Sequence, residues 1–159
     1  MNNVHPSVSV RLFFLLAVSP WHGQLKSKAL QYLPAAITKI SYSRSAGRGG
    51  NGVNLEITPN AIVYVQSHNG AEKTIREKTP RSLWSSMTRA INNKDLSQIK
   101  SAPGHALYDG IDVTITVEKG RERYSIVNGN EDAANFKRIK GLSDILEAQS
   151  ARLDKRIHW

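Results

Sequence analysis

The sequence predicts an α+β protein in which an antiparallel sheet, made of a meander and a later hairpin, is packed on one face by two to three helices. Two runs predict the sheet. Val53, Leu55 and Ile57 alternate with Asn54, Glu56 and Thr58, and Ile111, Val113, Ile115 and Val117 alternate with Asp112, Thr114, Thr116 and Glu118. A period of two is what a strand with one buried face requires. A helical period predicts the cover: Leu83, Trp84, Met87 and Ile91 recur at three- and four-residue spacing, and Leu142, Ile145, Leu146 and Leu153 form a second apolar stripe.

In chain order, Ile37 to Tyr42 reads as the first strand, and Ser43 to Gly52 as a basic, glycine-dense loop before the Val53 strand. Pro59-Asn60 turns the chain into a strand from Ala61 to Ser67. His68-Asn69-Gly70 turns it again into a strand from Lys73 to Lys78, which completes a meander. Thr79 is expected to cap the first helix, with Pro80 at its first position, where a missing N–H costs nothing. Asn92-Asn93 ends that helix, and Asp95 to Ile99 suits one more helical turn. The Ile111 strand should turn at Lys119-Gly120 and return over Arg121 to Asn128, with Asn128-Gly129-Asn130 as the break. Phe136 and Ile139 then lie on a short helical segment, which Gly141 is expected to separate from the last helix.

The domain so defined spans 37–155. Before it, Leu12 to Val18 is an apolar core preceded by Arg11 and free of acidic neighbours, so 1–23 reads as a signal peptide and 24–36 as a linker. The run is too short for a permanent membrane span. Export places the protein in the periplasm or outside the cell; were Leu12 to Val18 part of the core instead, it would be cytoplasmic. A chain of 159 residues is large enough to fold without staples. The absence of cysteine excludes disulfides, thiolate metal sites and cysteine nucleophiles. A formal charge of +9 favours an acidic protein surface, nucleic acid or anionic lipid as partner.

Three constellations bear on function. The loop Gly47-Arg48-Gly49-Gly50-Asn51-Gly52 lets backbone approach an anion closely, but it has no Walker lysine-serine ending and is followed by a strand. Arg44, Arg48, Gly49 and Gly50 are therefore expected to bind a protein or polyanion, not a nucleotide. His105, Tyr108, Asp109 and Asp112 are the candidates for catalysis, since a histidine and a carboxylate can share a proton when they converge. Asp109-Gly110 also suits a simple turn, and Asp112 the polar face of a strand. The histidines lack metal-ligand spacing, so no metal or cofactor is expected. Finally, Arg121, Arg123, Lys137, Arg138 and Lys140 could form a nucleic-acid patch. Acidic residues are mixed among them, however, and Trp84, Tyr124 and Phe136 sit at core-like positions, not as stacking platforms.

The segment Ile40-Ser41-Tyr42-Ser43-Arg44-Ser45-Ala46-Gly47, the later Tyr108-Asp109-Gly110-Ile111-Asp112 leading into a hairpin, and the closing helix Leu142 to Leu153 resemble the layout of emfourin-type proteins. Those are small bacterial inhibitors of thermolysin-like metalloproteases. The resemblance spans Ile37 to Leu153 and departs from the family where a longer Arg- and Gly-containing loop replaces a Gly-Gly-aromatic turn. It implies a loop presented to a protease cleft, here Gly47 to Gly52. The expected function is thus that of an exported, non-catalytic protein-binding domain, with a secreted protease as the partner the resemblance implies. A basic nucleic-acid-binding domain and a hydrolase using His105 and Asp109 are the alternatives. Oligomeric state is left open.

Overall fold

The computed structural model describes residues 36–46, 51–91, 95–104 and 110–159. The expected signal peptide and all but the last residue of the linker lie outside these, as do Asn92-Asn93. Six strands form one antiparallel sheet: β1 (Ile37–Ala46), β2 (Asn51–Ile57), β3 (Ala61–His68), β4 (Ala71–Lys78), β5 (Ile111–Lys119) and β6 (Glu122–Val127). Their order is β4-β3-β2-β1-β5-β6. The meander therefore runs outward from β1, and the later hairpin docks on the other edge of β1. Helices α1 (Arg81–Ile91), α2 (Ala133–Phe136) and α3 (Lys140–Asp154) complete the α+β layout, with single 3₁₀ turns at Leu96–Gln98 and Gly129–Glu131.

Register explains which face is core. Tyr42 lies opposite Leu55 on one side and Ile115 on the other, and Leu55 lies opposite Tyr64. Residues directly opposite share a face, so this row continues across the sheet as Tyr64–Leu55–Tyr42–Ile115–Ile126. All five are buried, together with Met87 of α1 and Leu142, Leu146 and Leu153 of α3. Each fully buried leucine contributes roughly 1.5–3 kcal/mol. The residues between them on β1, namely Lys39, Ser41, Ser43 and Ser45, belong to the other face.

Several expected boundaries are corrected. β1 continues to Ala46 because Ser43, Arg44 and Ser45 are paired on both sides, with β2 and with β5. Two ladders supply what the polar sequence lacks, and the glycine loop shrinks to 47–50, outside the described residues. Gly52 belongs to β2, where a Cβ would lie 2.7 Å from the Arg44 carbonyl oxygen; only glycine permits that approach. β4 starts at Ala71 because Asn69 and Gly70 both take positive φ (50° and 79°) and close a two-residue turn. The second hairpin turns at Gly120-Arg121, not Lys119-Gly120, because Lys119 pairs with Glu122. Gly120, at φ 60°, supplies the positive φ that a glycine-first turn needs.

The start of α1 also differs. Its first helical residue is Arg81, and the Pro80 carbonyl accepts from Trp84 N–H at 3.1 Å. Thr79 is buried and its Oγ1 has no hydrogen-bond partner among the described residues, so it does not act as the cap. Its backbone N–H instead donates to the Asn60 carbonyl, which ties the end of β4 to the β2–β3 turn. Gly141 does not interrupt α3; it lies in the first turn, opposite Ala90 of α1. The interruption falls at 137–139.

Candidate functional site

Arg44 follows the core residues Ile40 and Tyr42 along the same face of β1, but it lies beyond the apolar stripe of α3 and is exposed. Its cross-strand neighbours are Val53 and Val113. Among the described residues nothing hydrogen-bonds or ion-pairs with its guanidinium. A strand paired on both sides thus holds a cation, free among the described residues, near the end of the first hairpin, with Ser45 and Ala46 between it and the glycine loop.

Two concavities meet at Arg44. One, of about 290 Å³, is lined by Tyr42, Glu147, Ser150, Ala151 and Asp154. The other, of about 230 Å³, lies toward the loop and includes Asn51, Gly52, Gln66, His68 and Ile111. A third hollow of about 160 Å³, floored by Val113, Ile115 and Ile126 and walled by Phe136, shares Glu147 with the first. The result is a groove on the helix side of the sheet, with an apolar end and a charged end.

The wall of this groove is fixed by hydrogen bonds. Tyr64 Oη donates to Asp154 Oδ1 at 3.0 Å, and Gln66 Nε2 donates to the same oxygen at 2.7 Å. Trp159 Nε1 in turn donates to Gln66 Oε1 at 2.8 Å. Lys73 Nζ sits 4.7 Å above the Trp159 ring and donates to the His158 carbonyl, which holds the last residues across β3 and β4. Burial, reinforced by the bond to Asp154 and its charge, pushes the Tyr64 hydroxyl up to about 12. The Tyr42 hydroxyl is also raised, by burial first and by the charge of Glu147 second, while Arg44 opposes the shift. Glu147 accepts from Ser143 Oγ at 2.9 Å.

Of the residues expected to bind, Arg44 stands in the groove, and Arg48, Gly49 and Gly50 lie outside the described residues. Of the catalytic candidates, His105, Tyr108 and Asp109 lie outside them as well. Asp112 is opposite Ser45, hence on the face away from Arg44. Its Oδ1 accepts from Asn128 Nδ2 at 2.8 Å. Asn128 takes φ 47°, accepts from Val113 N–H at 2.9 Å, and donates to the Pro103 carbonyl at 3.1 Å. Asp112 and Asn128 thereby fasten the 101–104 connection to β5. The structure does not bring Asp112 and Arg44 together.

Tyr42, Gln66, Glu147, Asp154 and Trp159 were not expected at a site. A signal existed for two of them: Ser143, Glu147, Ser150 and Asp154 are polar positions at helical spacing beside the apolar stripe of α3. Of the basic residues weighed for nucleic acid, Lys140 is paired with Asp144 at 2.7 Å, and Arg123 lies opposite Glu118. Trp84, Tyr124 and Phe136 pack against the core. Among the described residues no group of three His, Asp or Glu is placed to hold a metal, and no helix is long and apolar enough to cross a membrane.

These features define an α+β protein of one antiparallel sheet with a groove of mixed polar and apolar lining beside its first hairpin. The chain matches no protein-family model, and the search of curated proteins gives no match either.

Proposed function

We propose that this chain is a small exported, non-catalytic protein-binding domain that presents the end of its first hairpin to a partner, in the manner of a protease inhibitor. The observation that carries the reading is Arg44: an exposed guanidinium, unpaired among the described residues, on a strand paired on both sides, three residues before Gly47 opens the glycine loop that contains Arg48. A planar donor fork held on a rigid element loses little freedom on binding and suits carboxylates and carbonyl groups of a protein surface. The excess of Lys and Arg speeds approach to an acidic partner. Glu147, Asp154 and the apolar hollow beside Phe136 give the groove both polar and apolar contacts for side chains flanking the anchor. The resemblance of the sequence layout to emfourin-type inhibitors supports a secreted, thermolysin-like metalloprotease as the partner.

The test is titration of such a protease with the full chain and with an Arg44→Gln/Arg48→Gln variant. The wild type should inhibit, and the variant should do so at least about tenfold less well, as expected for a buried arginine anchor, while unfolding at the same temperature. Full protease activity at saturating wild-type protein would overturn the protease reading; equal inhibition by the variant would overturn the role of the hairpin end.

A further inference from the structure

We infer that the outer edge of β4 pairs with β4 of a second copy of this chain, forming a two-fold dimer with a continuous antiparallel sheet. β4 is a terminal strand of the sheet, and among the described residues nothing pairs with its outer edge. The opposite terminal strand is different. On β6, Val127 N–H donates to Ser101 Oγ and the Val127 carbonyl accepts from Ala102 N–H, so that edge is capped at one end by the 101–102 segment.

The sequence of β4, Ala-Glu-Lys-Thr-Ile-Arg-Glu-Lys over Ala71–Lys78, is self-complementary when run antiparallel to itself about Ile75. A two-fold axis through Ile75 sets Ile75 against Ile75 of the second copy and Thr74 against Arg76. The same axis sets Lys73 against Glu77 and Glu72 against Lys78, each twice by symmetry. Glu72 then meets Lys78, Lys73 meets Glu77 while each keeps its partners within its own chain, the His158 carbonyl and Trp159 ring for Lys73 and Arg152 and Arg156 for Glu77, and Arg76 meets a threonine. Opposite charges directly across a ladder stabilise pairing, and like charges oppose it.

Neighbouring registers fail. Centring on Lys73 or Arg76 puts like charges face to face, and centring on Thr74 gains Glu72 against Arg76 but sets Lys73 against Ile75 and Glu77 against Ala71, with fewer opposite-charge pairs than the Ile75 register. Charged edge strands ordinarily resist pairing. Here the charges exclude the wrong registers and leave one that fits. Arg76 and Lys78 have no hydrogen-bond or ion-pair partner within the described chain, so the dimer breaks no contact of theirs. Main-chain bonds along the strand would supply affinity, as in other strand additions, and the inference is independent of what the hairpin end binds.

Sedimentation velocity of the full chain, from micromolar to submillimolar concentrations, tests it with a charge exchange. Wild type should dimerise. Glu72→Lys sets lysine against Lys78, and Lys78→Glu sets glutamate against Glu72, so each alone should weaken the dimer by about tenfold, since every change acts twice. The double variant should recover wild-type association, and all four proteins should unfold at the same temperature. A wild type that stays monomeric throughout would overturn the inference. So would a dimer indifferent to the single changes, or single-variant losses that the double variant does not repair.

Discussion

Replacing Asn128 probes the polar joint beneath the 101–104 connection. The residue is 3% exposed, sits at φ 47°, and makes three side-chain hydrogen bonds, to Val113 N–H, the Pro103 carbonyl and Asp112. Asn128→Ala leaves a buried donor without its partner, at roughly 1–3 kcal/mol. It also places a non-glycine side chain without local polar compensation in the left-handed region, at roughly 1 kcal/mol more. The expected loss is therefore about 2–4 kcal/mol, read as a lower urea midpoint at unchanged slope. Asn128→Gly keeps the backbone and loses only the bonds, so it should be less damaging than alanine by about 1 kcal/mol. Asn128→Asp keeps an acceptor for Val113 N–H but sets a second carboxylate against Asp112, so its deficit should shrink as pH falls below the carboxylate range. An alanine variant within about 0.5 kcal/mol of wild type, the range of an ordinary surface change, would show that Asn128 does not hold this joint.

Three further outcomes follow from the geometry. Tyr64 is raised from 10.0 to about 12 in the folded protein, so its neutral form is favoured by folding. That stabilisation is complete below pH 10 and is lost as pH rises through about 12; Tyr64→Phe should remove this component from a stability–pH curve. Glu77 is held below its usual 4.5, by its bond to Arg152 first and with Arg156 adding to the effect. Its contribution is present above 4.5 and lost as pH falls through the lowered folded value. Because the pair is partly exposed, Glu77→Gln should cost under about 1 kcal/mol at neutral pH and flatten the acid limb. Gly52→Ala forces a Cβ against the Arg44 carbonyl at 2.7 Å, and should cost about 1–3 kcal/mol by thermal unfolding while distorting the strand that carries the guanidinium.

The sheet was legible wherever one face is apolar and the other polar, as in Val53 to Ile57 and Ile111 to Val117. It was illegible at Ser43 to Ala46, where no alternation marks a strand and the structure comes from pairing with β2 and β5 together. Thr79-Pro80 satisfied a local capping rule that burial at the end of β4 overrode. Arg44 was visible because basic residues bordering a glycine loop are conspicuous. The groove around it was not, since it depends on Tyr64 meeting Asp154 across 90 residues of chain. Such a contact is fixed by how α3 crosses the sheet, and no spacing within either segment encodes it. Glu147 and Asp154, seven residues apart on one helix, could be read only as a polar flank.

Whether the hairpin end binds a protease is read by hydrogen–deuterium exchange of the full chain with and without a thermolysin-like metalloprotease inactivated at its active site. Slowed exchange is expected only at the end of the first hairpin, from Arg44 through the glycine loop to Val53, with the Asn128 region and β6 unchanged. Unaltered exchange throughout at saturating protease would contradict it, as would protection centred on 101–112 with the hairpin end unaffected.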